Sequence, residues 1–97
     1  MAKFALVATI KTNPGKRDEY LRHLKAHRQR CLDTEPDTLT FEILVPLQEA
    51  DILMLYEVYT SAEAFEAHRN GPSMQQARQD TAGLAVSMNG VRCDLLE

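Results

Sequence analysis

The sequence predicts an α+β domain of the ferredoxin-like type, β-α-β-β-α-β, with four antiparallel strands and the helices on one face. Three observations predict it: strand-type alternation in four separate segments, helix-type spacing in the stretches between them, and turn residues at each junction. The strands are also apolar on both faces. Two helices cover only one side of a sheet, so the other side predicts a homodimer packed sheet against sheet, a dimeric barrel-like assembly.

Lys3 to Lys11, KFALVATIK, sets Phe4, Leu6, Ala8 and Ile10 against Ala5, Val7 and Thr9, and Asn13-Pro14-Gly15 ends the strand. Asn13 can cap the following helix and Pro14 can open it. From about Lys16 to Asp33, Leu21, Leu24, Cys31 and Leu32 recur at helical spacing, with the Arg28 stem on the same buried face. Glu35-Pro36-Asp37 stops that helix. Strands follow at Thr38 to Pro46 and at Asp51 or Ile52 to Tyr59, most economically an antiparallel hairpin. Thr60-Ser61-Ala62-Glu63 reads as a capping box with Thr60 as the cap. The second helix ends near Asn70-Gly71, a further helical segment runs from Ser73 to about Ala85, and Val86 to Leu96 forms the last strand.

At 97 residues the chain reads as one domain, 1–97, small enough that help from a partner is expected. A net charge of −3 argues against a general nucleic-acid or membrane binder. Six of the eleven cationic residues do fall between Lys16 and Arg30, a pattern that fits the solvated face of an amphipathic helix. No apolar run reaches the roughly 20 residues of a membrane span, and the start shows no cleavage signal, so the expected location is cytoplasmic. Cys31 and Cys93 form no CxxC and are expected as free thiols.

The four glycines, at 15, 71, 83 and 90, are isolated, so no dinucleotide fingerprint or P-loop can be written, and no flavin or nicotinamide cofactor is expected. His23, His27 and Cys31 recur every four residues, but successive steps drift about 40° around a helix, so only a pair could share an ion and no metal site is expected.

The polar candidates lie elsewhere. His68 shares a helical stripe with Phe65, the one large apolar residue of its helix, and therefore points inward, either as a packed core histidine or as a proton-transfer group bordering a cavity. Glu57 and Tyr59 share a strand face with Leu53 and Leu55, where a carboxylate is costly unless paired, through Arg92 for example, or functional. Tyr20, His23 and His27 occupy one side of the first helix, either as an exposed flank or as the opposite wall of the same cavity. Met74 and Met88 suit adaptable packing.

In these residues the chain resembles the antibiotic biosynthesis monooxygenase family along nearly its whole length. The resemblance rests on Glu35-Pro36 followed by Leu39 and Phe41, on Leu55-Tyr56-Glu57-Val58-Tyr59, and on Ala64-Phe65 with His68 before a Pro-Ser break. The chain departs from the family at Asp37, where Gly is usual, and at Tyr59, where many members carry Trp. The resemblance implies a pocket between sheet and helices with His68 and Tyr59 as its polar lining, and the candidate substrate contacts around it are Tyr20, His27, Phe41, Phe65, Met74 and Arg92. It also implies oxidation of a small phenolic or quinol substrate by O2 without metal or flavin. On that reading His68 transfers the proton, Tyr59 orients the substrate, Glu57 holds a neighbour, and Arg69 or Arg92 stabilises developing negative charge. The alternatives are an isomerase acting on a small phosphorylated signalling molecule, with Lys25 gripping the anion, and a non-catalytic small-molecule-binding dimer.

Overall fold

The computed structural model describes residues 2–97. Its elements are β1 (Lys3–Thr12), α1 (Arg17–Thr34), β2 (Thr38–Leu44), β3 (Ile52–Tyr59), α2 (Ala62–Arg69), α3 (Pro72–Asp80) and β4 (Ala85–Leu95). The strands lie in the order β2-β3-β1-β4 and every neighbouring pair is antiparallel, which is the ferredoxin-like arrangement. Strand parity carries through the sheet. Phe4, Leu6, Ala8 and Ile10 of β1 share the helix-covered face with Leu53, Leu55, Glu57 and Tyr59 of β3, because β1 pairs Phe4 with Tyr59 and Ile10 with Leu53.

Several local features differ from the sequence expectations, each for an identifiable reason. The buried stripe of α1 is Tyr20, Leu24, His27 and Cys31, spaced four, three and four, whereas Leu32, one residue further round, is 40% exposed. Asn13 does not cap α1; its amide donates to the Gly83 carbonyl at 2.7 Å, and Lys16 stands at the cap position without a side-chain bond. The cap of α2 is Ser61 and not Thr60: Ser61 has extended backbone and its Oγ accepts from the Ala64 N–H at 3.1 Å. The segment after Pro72 ends at Asp80 and not near Ala85, since Gly83 adopts φ +79° and turns the chain into β4. In β2 the register slips between Thr38 and Thr40, which leaves Leu39 exposed while Phe41 is buried opposite Glu57.

The Asn70-Gly71-Pro72 break divides the second helical stretch into α2 and α3. Pro72 supplies the first turn of α3, and a side chain on Gly71 would meet the Ala67 carbonyl at 2.9 Å. The aromatic part of the core is Phe4 stacked on Phe65 at 4.7 Å, with the Tyr59 ring edge-on to Phe65 at 5.4 Å. The opposite face of the sheet carries Val7, Leu44, Tyr56 and Val91, of which Val7, Leu44 and Val91 are exposed.

Ser61→Ala is expected to lower unfolding free energy by about 1 kcal/mol while Thr60→Ala leaves it nearly unchanged, as measured by urea denaturation.

Candidate active site

Between the sheet and the helices lies a cavity of about 410 Å³. Its floor exists because the sheet is thin there: Ala8 on β1 pairs with Gly90 on β4, so neither strand sends a large side chain upward. A Cβ on Gly90 would sit 3.1 Å from Leu6 Cδ1. Leu6, Ile10 and Leu55 complete an apolar floor around one acidic group, Glu57. Tyr20, His23 and His27 form the α1 wall, Phe65 and Met74 the wall opposite, and Arg69, Arg78 and Arg92 stand at the rim with Met88.

Glu57 is 3% exposed, and Tyr59 Oη donates to its Oε1 at 2.5 Å. Burial pushes the Glu57 carboxyl above the usual carboxylate range, opposed in part by that hydrogen bond. The Tyr59 phenol is pushed up by burial and by the acid beside it, so it remains a donor. His27, also 3% exposed, is lowered to about 4 by burial, with His68 and Arg30 adding to the effect, which makes it a neutral imidazole at pH 7.

Behind this wall stands a second polar layer. The His68 ring lies 5.2 Å from Tyr59 and 5.5 Å from His27, and its Nδ1 donates to Glu35 Oε1 at 2.8 Å. His68 Nε2 is buried with no hydrogen-bond partner among the described residues. His68 and Glu35 face a separate cleft of about 360 Å³ beside Pro36, Ala64 and Ser73.

Of the residues singled out from sequence, Glu57, Tyr20, His27, Phe65, Met74 and Arg92 line the cavity, whereas Tyr59, His68 and Phe41 stand one layer behind it. Arg92 does not pair with Glu57. Its guanidinium bonds Glu66 at 3.0 Å and lies over the Phe65 ring at 5.2 Å. Lys25 is exposed and does not line the cavity. The sequence reading missed Arg78 and the floor pair Ala8 and Gly90; the three-and-four spacing of Met74, Ala77, Arg78 and Thr81 is the signal that points to Arg78.

His27, Cys31 and His68 place potential metal-ligating atoms within 4.8 Å of one another, with His68 in the place that helix spacing alone would give to His23. Cys31 Sγ is 3.6 Å from both His27 ring nitrogens and 3.8 Å from His68 Nδ1. The thiol itself is raised to about 12 by burial and by Glu35 and Glu57.

Residues 3–80 match the antibiotic biosynthesis monooxygenase family. The chain belongs to that family. Solved structures with the same fold include proteins provisionally named antibiotic biosynthesis monooxygenases from Caulobacter crescentus (21% identity, 99% of this chain and 92% of that one, TM-score 0.91) and Nitrosomonas europaea (18%, 98% and 91%, TM-score 0.91). A third, from Chloroflexus aurantiacus, is 20% identical over 99% of this chain and 95% of its own, with TM-score 0.86. At these identities the likeness carries the fold, and no curated protein matches the sequence significantly. Among the described residues no helix is long and apolar enough to cross a membrane. Family membership supports a general monooxygenase-like function and a small-molecule substrate.

The displaced titration of His27 has a defined consequence for stability. Between pH 6.5 and about 4 the unfolded chain binds a proton at this position that the folded chain refuses, so stability falls as pH falls through that window and levels off below it. His27→Gln is expected to remove about 3 kcal/mol of that acid-side decline, measured by urea melts at a series of pH values.

Proposed function

We propose that this protein is a monooxygenase that oxidises a small phenolic or quinol substrate with O2 in the cavity above Glu57, using no metal or flavin. The observation that carries the reading is a single acid with raised proton affinity, set in an apolar floor and fixed by Tyr59. Such a group takes a proton from a weak acid more readily than an ordinary carboxylate does. The sequence assigned that role to His68; the geometry favours Glu57, because Glu57 faces the cavity and His68 does not line it.

In the proposed cycle Glu57 accepts the phenolic proton and the electron-rich phenolate reduces O2. The resulting radicals combine at a ring carbon that carries a hydrogen, and the peroxide takes back the proton held by Glu57 to become a hydroperoxide. Elimination of water then leaves a quinone carbonyl. One oxygen atom enters the ring, the other leaves as water, and the substrate supplies all four electrons. Neutral His27 orients the substrate hydroxyl, Tyr59 holds Glu57, and apolar walls exclude water around the intermediate.

The functional unit of this proposal is a homodimer joined through the outer sheet face, where Val7, Leu44 and Val91 are 38%, 49% and 62% exposed. Light scattering is expected to give twice the chain mass, and Val91→Asp to shift the protein to monomer.

With a panel of hydroquinones and polyphenols, metal-stripped and flavin-free protein is expected to consume O2 above autoxidation, and Glu57→Gln to lower kcat/KM about 10²- to 10⁴-fold. Full turnover by Glu57→Gln removes Glu57 as the base. Proton exchange into a bound ligand without O2 uptake supports the isomerase reading instead.

A further inference from the structure

We propose that the ligand of this cavity carries an anionic group, held at the rim by Arg69, Arg78 and Arg92 while its ring lies against Phe65 and Met74. The proposal rests on the reading of the cavity as a site for a small aromatic molecule and adds the charge of that molecule.

Three cationic side chains converge on one rim from three different elements, α2, α3 and β4. Their local acid content is low. Arg69 and Arg92 share a single carboxylate, Glu66, at 3.4 and 3.0 Å. Arg78 has no carboxylate partner among the described residues, and its one hydrogen bond runs to the Arg69 carbonyl at 3.2 Å. Glu66 and, in the floor, Glu57 are the acids of this opening, so three cations face two carboxylates. A rim with positive charge in excess above an apolar cavity suits a molecule with an apolar body and a negative end.

The guanidiniums are also held in place. Arg92 is fixed between Glu66 and the face of Phe65, and Arg78 is tied to the end of α2. A guanidinium has five N–H donors and each of these uses only part of that set, so several remain to bind a carboxylate or phosphate. Because Arg69 and Arg92 are each about half exposed (51% and 54%), their pull is screened by salt, and the selectivity they confer weakens as ionic strength rises.

The test uses redox-inert, isosteric probes, so that binding is read without turnover. Naphthalene-2-carboxylate, naphthalene-2-carboxamide and 2-naphthyl phosphate are titrated into the full chain by calorimetry at low and at 0.5 M salt, with NMR shifts locating each probe. The carboxylate or the phosphate is expected to bind at least tenfold more tightly than the amide, and the stronger of the two identifies the anion preferred. Salt is expected to erase most of the difference. Arg78→Gln and Arg92→Gln are each expected to reduce the preference for anion over amide three- to tenfold. Equal affinity of all three probes within the cavity overturns this proposal and leaves the aromatic site standing. Absence of any binding in the cavity overturns both. A preference that persists undiminished in the Arg78→Gln, Arg92→Gln double variant also overturns the assignment.

Discussion

A glutamic acid in the middle of a protein core is the constraint from which the rest of this site follows. Glu57 occupies a core position of β3, one of the two inner strands, and among the described residues its one close side-chain donor is the Tyr59 hydroxyl two residues along the same strand. Burial with so little support holds the Glu57 carboxyl above the ordinary carboxylate range. The adjacent groups obey the same electrostatic economy. His27 is held neutral by burial, Cys31 keeps its proton, and Tyr59 stays a phenol, so the interior carries several protonatable groups and little net charge.

The hollow in front of Glu57 is a product of backbone pairing as much as of side chains. Ala8 and Gly90 meet across β1 and β4, and the missing volume is not refilled by the helices above. The break at Asn70-Gly71-Pro72 adds the second ingredient. By dividing one helical stretch into α2 and α3, it brings Phe65 and Arg69 from one piece and Met74 and Arg78 from the other to the same opening. The same break places Ser73 beside His68 and Glu35, so the second cleft and the main cavity share one structural cause.

Much of this was legible in the sequence, and the failures share a pattern. Strand parity put Glu57 and Tyr59 on the helix-covered face, and helix spacing turned His68 inward, because both periodicities are local. Spacing alone left Tyr20 and His27 open between an exposed flank and a cavity wall, because their polar atoms hide how well their rings pack; in the fold they belong to the buried stripe and Leu32 does not. The choice between Thr60 and Ser61 as cap depends on one residue of backbone geometry that two similar hydroxyls do not reveal. Whether His68 stands in the cavity wall or behind it depends on how α2 seats against α1, and Arg92 found Glu66 through contact between β4 and α2; neither relation is encoded by spacing along the chain.

The account depends most directly on the protonation of Glu57. Carbon-13 NMR of the glutamate side-chain carboxyls across a pH series, with Glu57 assigned by its absence in Glu57→Gln, reads it at a single atom. The account predicts a midpoint above the ordinary carboxylate range, moving higher when an apolar ligand fills the cavity and excludes water. A midpoint within the ordinary range, unchanged by ligand, contradicts it.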